Sequence, residues 1–135
     1  MSENSLIKKN IVLIANGKFP QHSKPLQLID DAQYIICCDG AANLLKNNNK
    51  VPDIIIGDLD SINNDFIKPK RSKIIYIKDQ NENDLRKALY WISKNMKIKK
   101  LSIIGSTGLR EDHTLGNIAG FLYYKYNFEI EIVTD

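Results

Sequence analysis

Five short apolar runs recur along the chain, and each ends close to a glycine or a polar residue. They span residues 11–15, 34–38, 54–56, 73–77 and 101–104. Unbroken runs rich in β-branched residues are typical of strands that are buried on both faces, as in a parallel sheet. A sixth segment, 129–134, alternates apolar and polar residues and predicts a final strand.

Between these runs, apolar residues recur at the spacing of a helix. Leu85, Ala88, Leu89, Ile92 and Met96 form one stripe, which predicts a helix packed on a sheet. Shorter helices are predicted around residues 26–29, 41–45, 63–68 and 115–122. The alternation of strand, loop and helix predicts an α/β fold, with an open, mostly parallel sheet covered by helices on both faces in a Rossmann-like, three-layer arrangement.

Composition narrows the class of protein. With 135 residues, of which 43% are hydrophobic, residues 1–135 are expected to form one globular domain. The formal net charge of +3 is too small to indicate a nucleic-acid partner, and the short lysine runs lack interleaved aromatic residues. The sequence contains neither a signal-peptide pattern nor an apolar run long enough to span a membrane, so no membrane partner is expected.

The two cysteines are adjacent. Cys37 and Cys38 lie in a predicted buried strand, where adjacent cysteines seldom form a disulfide with each other, and the sequence contains no other cysteine. This usage favours a reducing compartment, and we expect the protein to be cytoplasmic.

Polar residues, with one glycine, follow the first five predicted strands. In chain order they are Asn16 and Gly17, Asp39, Asp58 and Asp60, Gln80 and Asp84, and Arg110, Asp112 and His113. Ligands of open α/β sheets bind outside the carboxyl ends of the strands, so this distribution predicts an active-site rim. Several carboxylates with one arginine suggest that the rim binds a cation together with phosphate.

The stretch from Pro52 to Ser61 is the most informative part of this pattern. An apolar strand ends at Gly57, and Asp58 and Asp60 follow at positions i and i+2. If the chain stays extended, both carboxylates point to the same side and favour a hard divalent cation such as Mg²⁺. The alternative is a solvated acidic turn in which Asp60 caps the next segment. Neither a P-loop nor a dinucleotide-binding glycine motif is present.

Four blocks of the sequence resemble, in order and spacing, the motifs of the thiamine pyrophosphokinase family. They are residues 39–43 (DGAAN), 52–61 (PDIIIGDLDS), 80–89 (QNENDLRKAL) and 108–117 (GLREDHTLGN). The resemblance implies a Mg²⁺-dependent enzyme that transfers the pyrophosphoryl group of ATP to the hydroxyl of thiamine, giving AMP and thiamine diphosphate. It also implies a homodimer for the full-length protein.

The resemblance assigns roles to individual residues. The implied Mg²⁺ ligands are Asp39, Asp58, Asp60 and Asp84, which with Asp112 form the implied catalytic set. The implied nucleotide and phosphate ligands are Asn16, Gly17, Asn43, Gln80, Lys87, Arg110 and His113. The sequence departs from the family pattern at Leu109, where glycine is common, and at Glu82-Asn83, which replaces a threonine-rich pair.

Simpler interpretations exist for several of these residues. Asp84 and Asp112 are each placed to cap a predicted helix, and either could orient or deprotonate the substrate hydroxyl. His113 could be a packed or solvent-facing ring, and Lys87 could be a surface residue of its helix.

The resemblance also implies a second, smaller β-sandwich domain after the catalytic domain, and that domain is expected to be absent from this chain.

Two other functions fit the sequence less well. One is a non-catalytic nucleotide-binding domain from a truncated or degraded relative. The other is an Asp-x-Asp phosphotransferase or phosphatase, in which Asp58 would be the nucleophile.

Overall fold

A computed structural model of the chain describes residues 10–15, 21–38, 41–47, 50–57, 72–77, 84–105 and 128–133. In chain order, the described elements are β1 (Ile11–Ile14), α1 (Ser23–Asp31), β2 (Tyr34–Cys38), α2 (Ala41–Asn47), β3 (Ile54–Gly57), β4 (Lys73–Tyr76), α3 (Asp84–Asn95), β5 (Lys100–Ile104) and β6 (Glu129–Val133). The helices predicted at 63–68 and 115–122 lie outside the described residues.

The six strands form one sheet in the order β4-β3-β2-β1-β5-β6, and every described pair is parallel. The predicted α/β fold with an open parallel sheet is therefore confirmed. None of the helices in the described part of the chain is long and apolar enough to cross a membrane.

Two hydrophobic layers cover the two faces of the sheet. On one face, Leu13 and Cys38 pack in a cluster with the apolar stripe of α3. On the other face, Ile14 and Cys37 pack with residues of α1 and α2. Cys37 and Cys38 are both fully buried thiols. Their placement in opposite layers follows from the alternation of side chains along a strand.

The helix stripe predicted from the sequence is the buried face of α3. Leu85, Ala88, Leu89 and Ile92 are each no more than 4% exposed. Full burial of a leucine or isoleucine side chain contributes about 1.5–3 kcal/mol relative to leaving it in water. These contacts hold α3 over the middle of the sheet, next to β3 and β2.

Polar contacts around Asp53 join three strands at the amino edge of the sheet. The Ile35 backbone N–H donates to Asp53 Oδ2 at 2.7 Å, and the Asp53 N–H donates to the Ile35 carbonyl oxygen at 2.7 Å. The Lys73 N–H donates to the Asp53 carbonyl oxygen at 2.9 Å. The buried Ser72 hydroxyl donates to the Pro52 carbonyl oxygen at 2.6 Å. These bonds fix the register of β2, β3 and β4 at the amino ends of the strands, opposite the predicted active-site rim.

We predict that Asp53→Ala lowers the free energy of unfolding by about 1–3 kcal/mol, because it leaves the part-buried Ile35 N–H without its acceptor. Urea denaturation measures the change. Asp31→Ala is the matched control, since exposed Asp31 accepts one surface hydrogen bond from Gln27. The control is expected to change stability by no more than about 0.5 kcal/mol. Equal effects of the two substitutions would contradict the structural role of Asp53.

Tyr34, at the start of β2, gives a prediction at alkaline pH. Burial, and secondarily the charge of Asp53, raise the pKa of the Tyr34 phenol above its usual value of 10.0. The folded protein therefore holds this proton more tightly than the unfolded chain. The resulting stability is complete below about pH 10 and is lost as pH rises through the folded-state pKa. We expect Tyr34→Phe to flatten this part of the pH–stability curve in chemical denaturation, and Tyr90→Phe, at an exposed tyrosine, to leave it unchanged.

Candidate active site

The carboxyl ends of the parallel strands lie along one edge of the sheet. Ile14 is paired with Cys37 on one side and with Ile104 on the other. Farther along, Cys38 is paired with Ile56, and the next residue of β3, Gly57, is paired with Tyr76. Because neighbouring strands lie about 4.8 Å apart, the chain segments that leave β1, β2 and β3 start side by side.

The predicted site residues follow these strand ends in the sequence. Asp39 comes directly after Cys38, the last residue of β2, and Asp58 comes directly after Gly57, the last residue of β3. Asn16 and Gly17 follow β1 after one intervening residue, Ala15. The structure therefore brings together the points from which these residues leave the sheet.

The strand order places a switch point between β1 and β5. From β1 the chain adds β2, β3 and β4 on one side and then returns, through α3, to place β5 on the other side of β1. The Ala15 N–H donates to the Ile104 carbonyl oxygen at 2.8 Å and extends this pairing just past the end of β1. Open α/β sheets bind ligands at such a point, outside the carboxyl ends of the strands.

Glycines with positive φ lie at the carboxyl ends of two of the strands in the sheet. Gly57, at the end of β3, has a φ of 152°, and Gly105, directly after β5, has a φ of 76°. A Cβ atom disfavours both conformations, so the chain can make these turns at the rim at low cost only with glycine. The predicted end of β3 at Gly57 is confirmed.

Lys87 lies in the first turn of α3 and is buried, with only 6% of its surface exposed. At about 100° per residue, it lies about 150° from the centre of the apolar stripe, so packing on the sheet does not explain its burial. Tyr90 and Lys94, on the same side of α3, are exposed. The interpretation of Lys87 as a surface residue is therefore wrong. Helical periodicity alone does not reveal that the first turn of α3 is also buried on the side away from the apolar stripe.

The structure describes two other predicted site residues in part. Asn43 is half-buried in α2, whose first residue, Ala41, comes two residues after Asp39. Asp84 is the first residue of α3, and its predicted capping role stays a prediction. The predicted residues outside the described part of the chain are Asn16, Gly17, Asp39, Asp58, Asp60, Gln80, Arg110, Asp112 and His113, whose assignments stay predictions. Within the described ranges, no three His, Cys, Asp or Glu residues group as a metal site would require.

Comparison with known proteins identifies relatives of the chain. The family model described as "Thiamin pyrophosphokinase, catalytic domain" matches residues 25–134. Thiamin pyrophosphokinase 1 from Caenorhabditis elegans is 31% identical over 105 residues, which cover 72% of this chain and 43% of that protein. The 6-hydroxymethyl-7,8-dihydropterin pyrophosphokinase from Methanothermobacter thermautotrophicus is 28% identical over 111 residues, which cover 82% of this chain and 46% of that protein.

A solved structure shares the fold. The crystal structure of thiamine pyrophosphokinase from Bacillus subtilis superposes with a TM-score of 0.71 at 26% identity, and the match covers 91% of this chain and 60% of that one. The chain spans about half the length of the curated relatives named above. The match of the family model over most of the sequence shows that the chain belongs to the thiamin pyrophosphokinase catalytic domain family.

Proposed function

We propose that this domain transfers the pyrophosphoryl group of ATP to the hydroxyl of thiamine, giving AMP and thiamine diphosphate. The observation that carries the proposal is the register of the strand ends. Cys38 and Ile56 are partners, and the Asp39 and Asp58 segments leave the sheet from these neighbouring strands. Membership of the family supports the type of reaction.

The chemistry of the predicted donor set fits Mg²⁺. Asp39, Asp58, Asp60 and Asp84 would supply carboxylate oxygens, which this hard cation prefers over nitrogen or sulfur ligands. Two of the four acids directly follow neighbouring strands. When bound, Mg²⁺ would neutralise negative charge on the phosphate oxygens of ATP.

The protein side chains would align the reactants and balance charge. The thiamine hydroxyl oxygen attacks the β-phosphorus of ATP, a new O–P bond forms, and the bond from the β-phosphorus to the oxygen bridging it to the α-phosphorus breaks. AMP leaves with that oxygen and its electron pair. Asp84 or Asp112 would accept the hydroxyl proton. Lys87 and Arg110 would bind phosphate oxygens, with Asn16, Gly17, Asn43, Gln80 and His113 lining the nucleotide side.

A second acceptor is favoured by one of the comparisons. The relative named as a 6-hydroxymethyl-7,8-dihydropterin pyrophosphokinase covers more of this chain than the C. elegans relative does, at similar identity. The rim of strand ends would serve either acceptor, because both reactions place a hydroxyl against the same phosphate chain. We therefore propose the dihydropterin alcohol as the alternative acceptor.

The biological setting is also proposed. ATP and one small alcohol would be the only substrates, and no nucleic-acid or membrane partner is needed. The buried thiols of Cys37 and Cys38 support a reducing compartment such as the cytoplasm. The family resemblance alone supports two further proposals. The full-length protein would be a homodimer, and it would contain a β-sandwich domain in addition to the domain spanning residues 1–135.

The decisive experiment incubates the full chain with ATP and Mg²⁺ and with either thiamine or 6-hydroxymethyl-7,8-dihydropterin. We expect AMP and thiamine diphosphate to appear in equal amounts, as measured by chromatography. Pyrophosphorylation of the pterin alone would support the alternative acceptor. Binding of ATP without AMP release from either alcohol would instead indicate a non-catalytic nucleotide-binding domain.

Asp58→Asn and Asp60→Asn test the metal pair. Each substitution removes a negative charge with little change in shape, so we expect a loss of about 10–100-fold in Mg²⁺-dependent ATP affinity or turnover. Isothermal titration with Mg²⁺ at fixed ATP measures the affinity. Asp31→Asn, at an exposed position in α1, is the control for charge removal. If both rim variants titrated like the control, the assignment of the metal pair would be wrong.

Lys87→Met tests the buried cation. Methionine keeps much of the length of the side chain but loses the ammonium group, and a hydrogen bond to a charged group contributes about 1.5–3 kcal/mol. We expect ATP affinity to fall by about 10–100-fold while the fold persists. Lys94→Met is the matched control on the same helix, because Lys94 is exposed and lies over the Tyr90 ring. Equal ATP affinities for the two variants would argue against a role for Lys87 in phosphate binding.

A further inference from the structure

The last residue of β3 has a backbone conformation that is open to glycine and essentially closed to other L-residues. The φ of Gly57 is 152°, a region in which a Cβ atom collides with the backbone. The residue is buried and still belongs to the sheet, where it pairs with Tyr76. Its carbonyl oxygen accepts a hydrogen bond from the Ile77 N–H at 2.9 Å. The conformation is therefore held inside the ladder.

This conformation lies directly before the predicted metal pair. A regular parallel strand has a φ of about −120°, so the value at Gly57 is rotated by about 90° from it. The next residue in the sequence is Asp58, the first member of the predicted metal pair. An L-residue at position 57 would have to return to negative φ, and the chain would then leave β3 along a different path.

We propose that Gly57 is a positioning residue for Asp58: its positive φ directs the carboxylate from the end of β3 toward the metal and phosphate site. This inference rests on the proposed function. The Ile77–Gly57 hydrogen bond fixes one side of the turn, and the tightly packed β3 leaves little room for the strand to absorb a different φ. A substitution at position 57 should therefore change the position of the Asp58 carboxylate.

Gly57→Ala in the full chain is the first test. We expect the Mg²⁺ concentration for half-maximal ATP binding to rise by about tenfold or more, since errors in orienting a metal ligand typically cost about 10–100-fold in affinity. Isothermal titration with Mg²⁺ at fixed ATP measures this, and AMP release is followed in parallel. ATP affinity without Mg²⁺ should change much less.

Asp53→Ala is the matched control for stability, because Asp53 directly precedes β3 and lies at its opposite end. It is expected to destabilise the fold but to leave the Mg²⁺ titration unchanged. A shift of equal size in both variants would mean that general destabilisation, and not the direction of the chain at Gly57, weakens metal binding. That result would overturn the proposal.

D-Alanine at position 57, introduced by peptide ligation, separates φ from side-chain volume. Mirror-image chirality makes a φ of 152° as accessible to D-alanine as a φ of −152° is to an L-residue, while the added methyl group has the same volume as in Gly57→Ala. We expect the D-alanine protein to keep the wild-type Mg²⁺ titration, and this variant decides the question even if Gly57→Ala does not fold. A D-alanine protein that is impaired, or a Gly57→Ala protein that titrates like wild type, would overturn the proposal.

The outcome for the wild-type chain separates this inference from the proposed function. A wild-type chain that binds Mg²⁺–ATP and releases AMP, together with variants that titrate normally, would remove only the role of Gly57. A wild-type chain that neither binds Mg²⁺–ATP nor releases AMP would remove the proposed function, and the role of Gly57 with it.

Discussion

The parallel register of six short strands is the constraint on which the rest of the structure depends. Each strand contains only four or five residues, so a shift of one residue would exchange the side chains of its two faces. Cys37 and Cys38 illustrate this, because each is fully buried in a different layer. The same register aligns the strand ends at one edge. Core packing and the geometry of the candidate site are therefore set by one pattern of backbone hydrogen bonds.

The two edges of the sheet have different physical characters. At the amino edge, Asp53 and Ser72 satisfy backbone groups with short hydrogen bonds, and the Tyr34 phenol is partly desolvated beside Asp53. Those interactions stabilise the fold. At the carboxyl edge, Gly57 has a backbone conformation that most residues avoid, and Lys87 is a buried cation. Features of this kind cost folding free energy and tend to collect where a protein binds ligands.

The sequence predicted the elements well because the apolar runs are clean and the stripe of α3 has strict helical spacing. It could not predict the strand order, which depends on contacts between distant segments, or the switch point between β1 and β5 that follows from that order. The enclosure of Lys87 was missed because periodicity identifies only the side of a helix that faces the sheet. Asp53 was grouped with Asp58 in one block, yet the structure places it at the opposite edge and gives it a structural role.

Charge balance supports the proposal that the site combines a divalent cation with basic side chains. Four carboxylates, those of Asp39, Asp58, Asp60 and Asp84, would repel one another and the triphosphate if they converged at the rim without compensation. Under the proposed assignments, Lys87 and Arg110 would supply two positive charges, fewer than the four acids require, and the nucleotide would add more negative charge. A doubly charged cation shared by carboxylate and phosphate oxygens reduces both repulsions at once. The burial of Lys87 would strengthen such a contribution, because a charge shielded from water interacts more strongly with its neighbours than an exposed one.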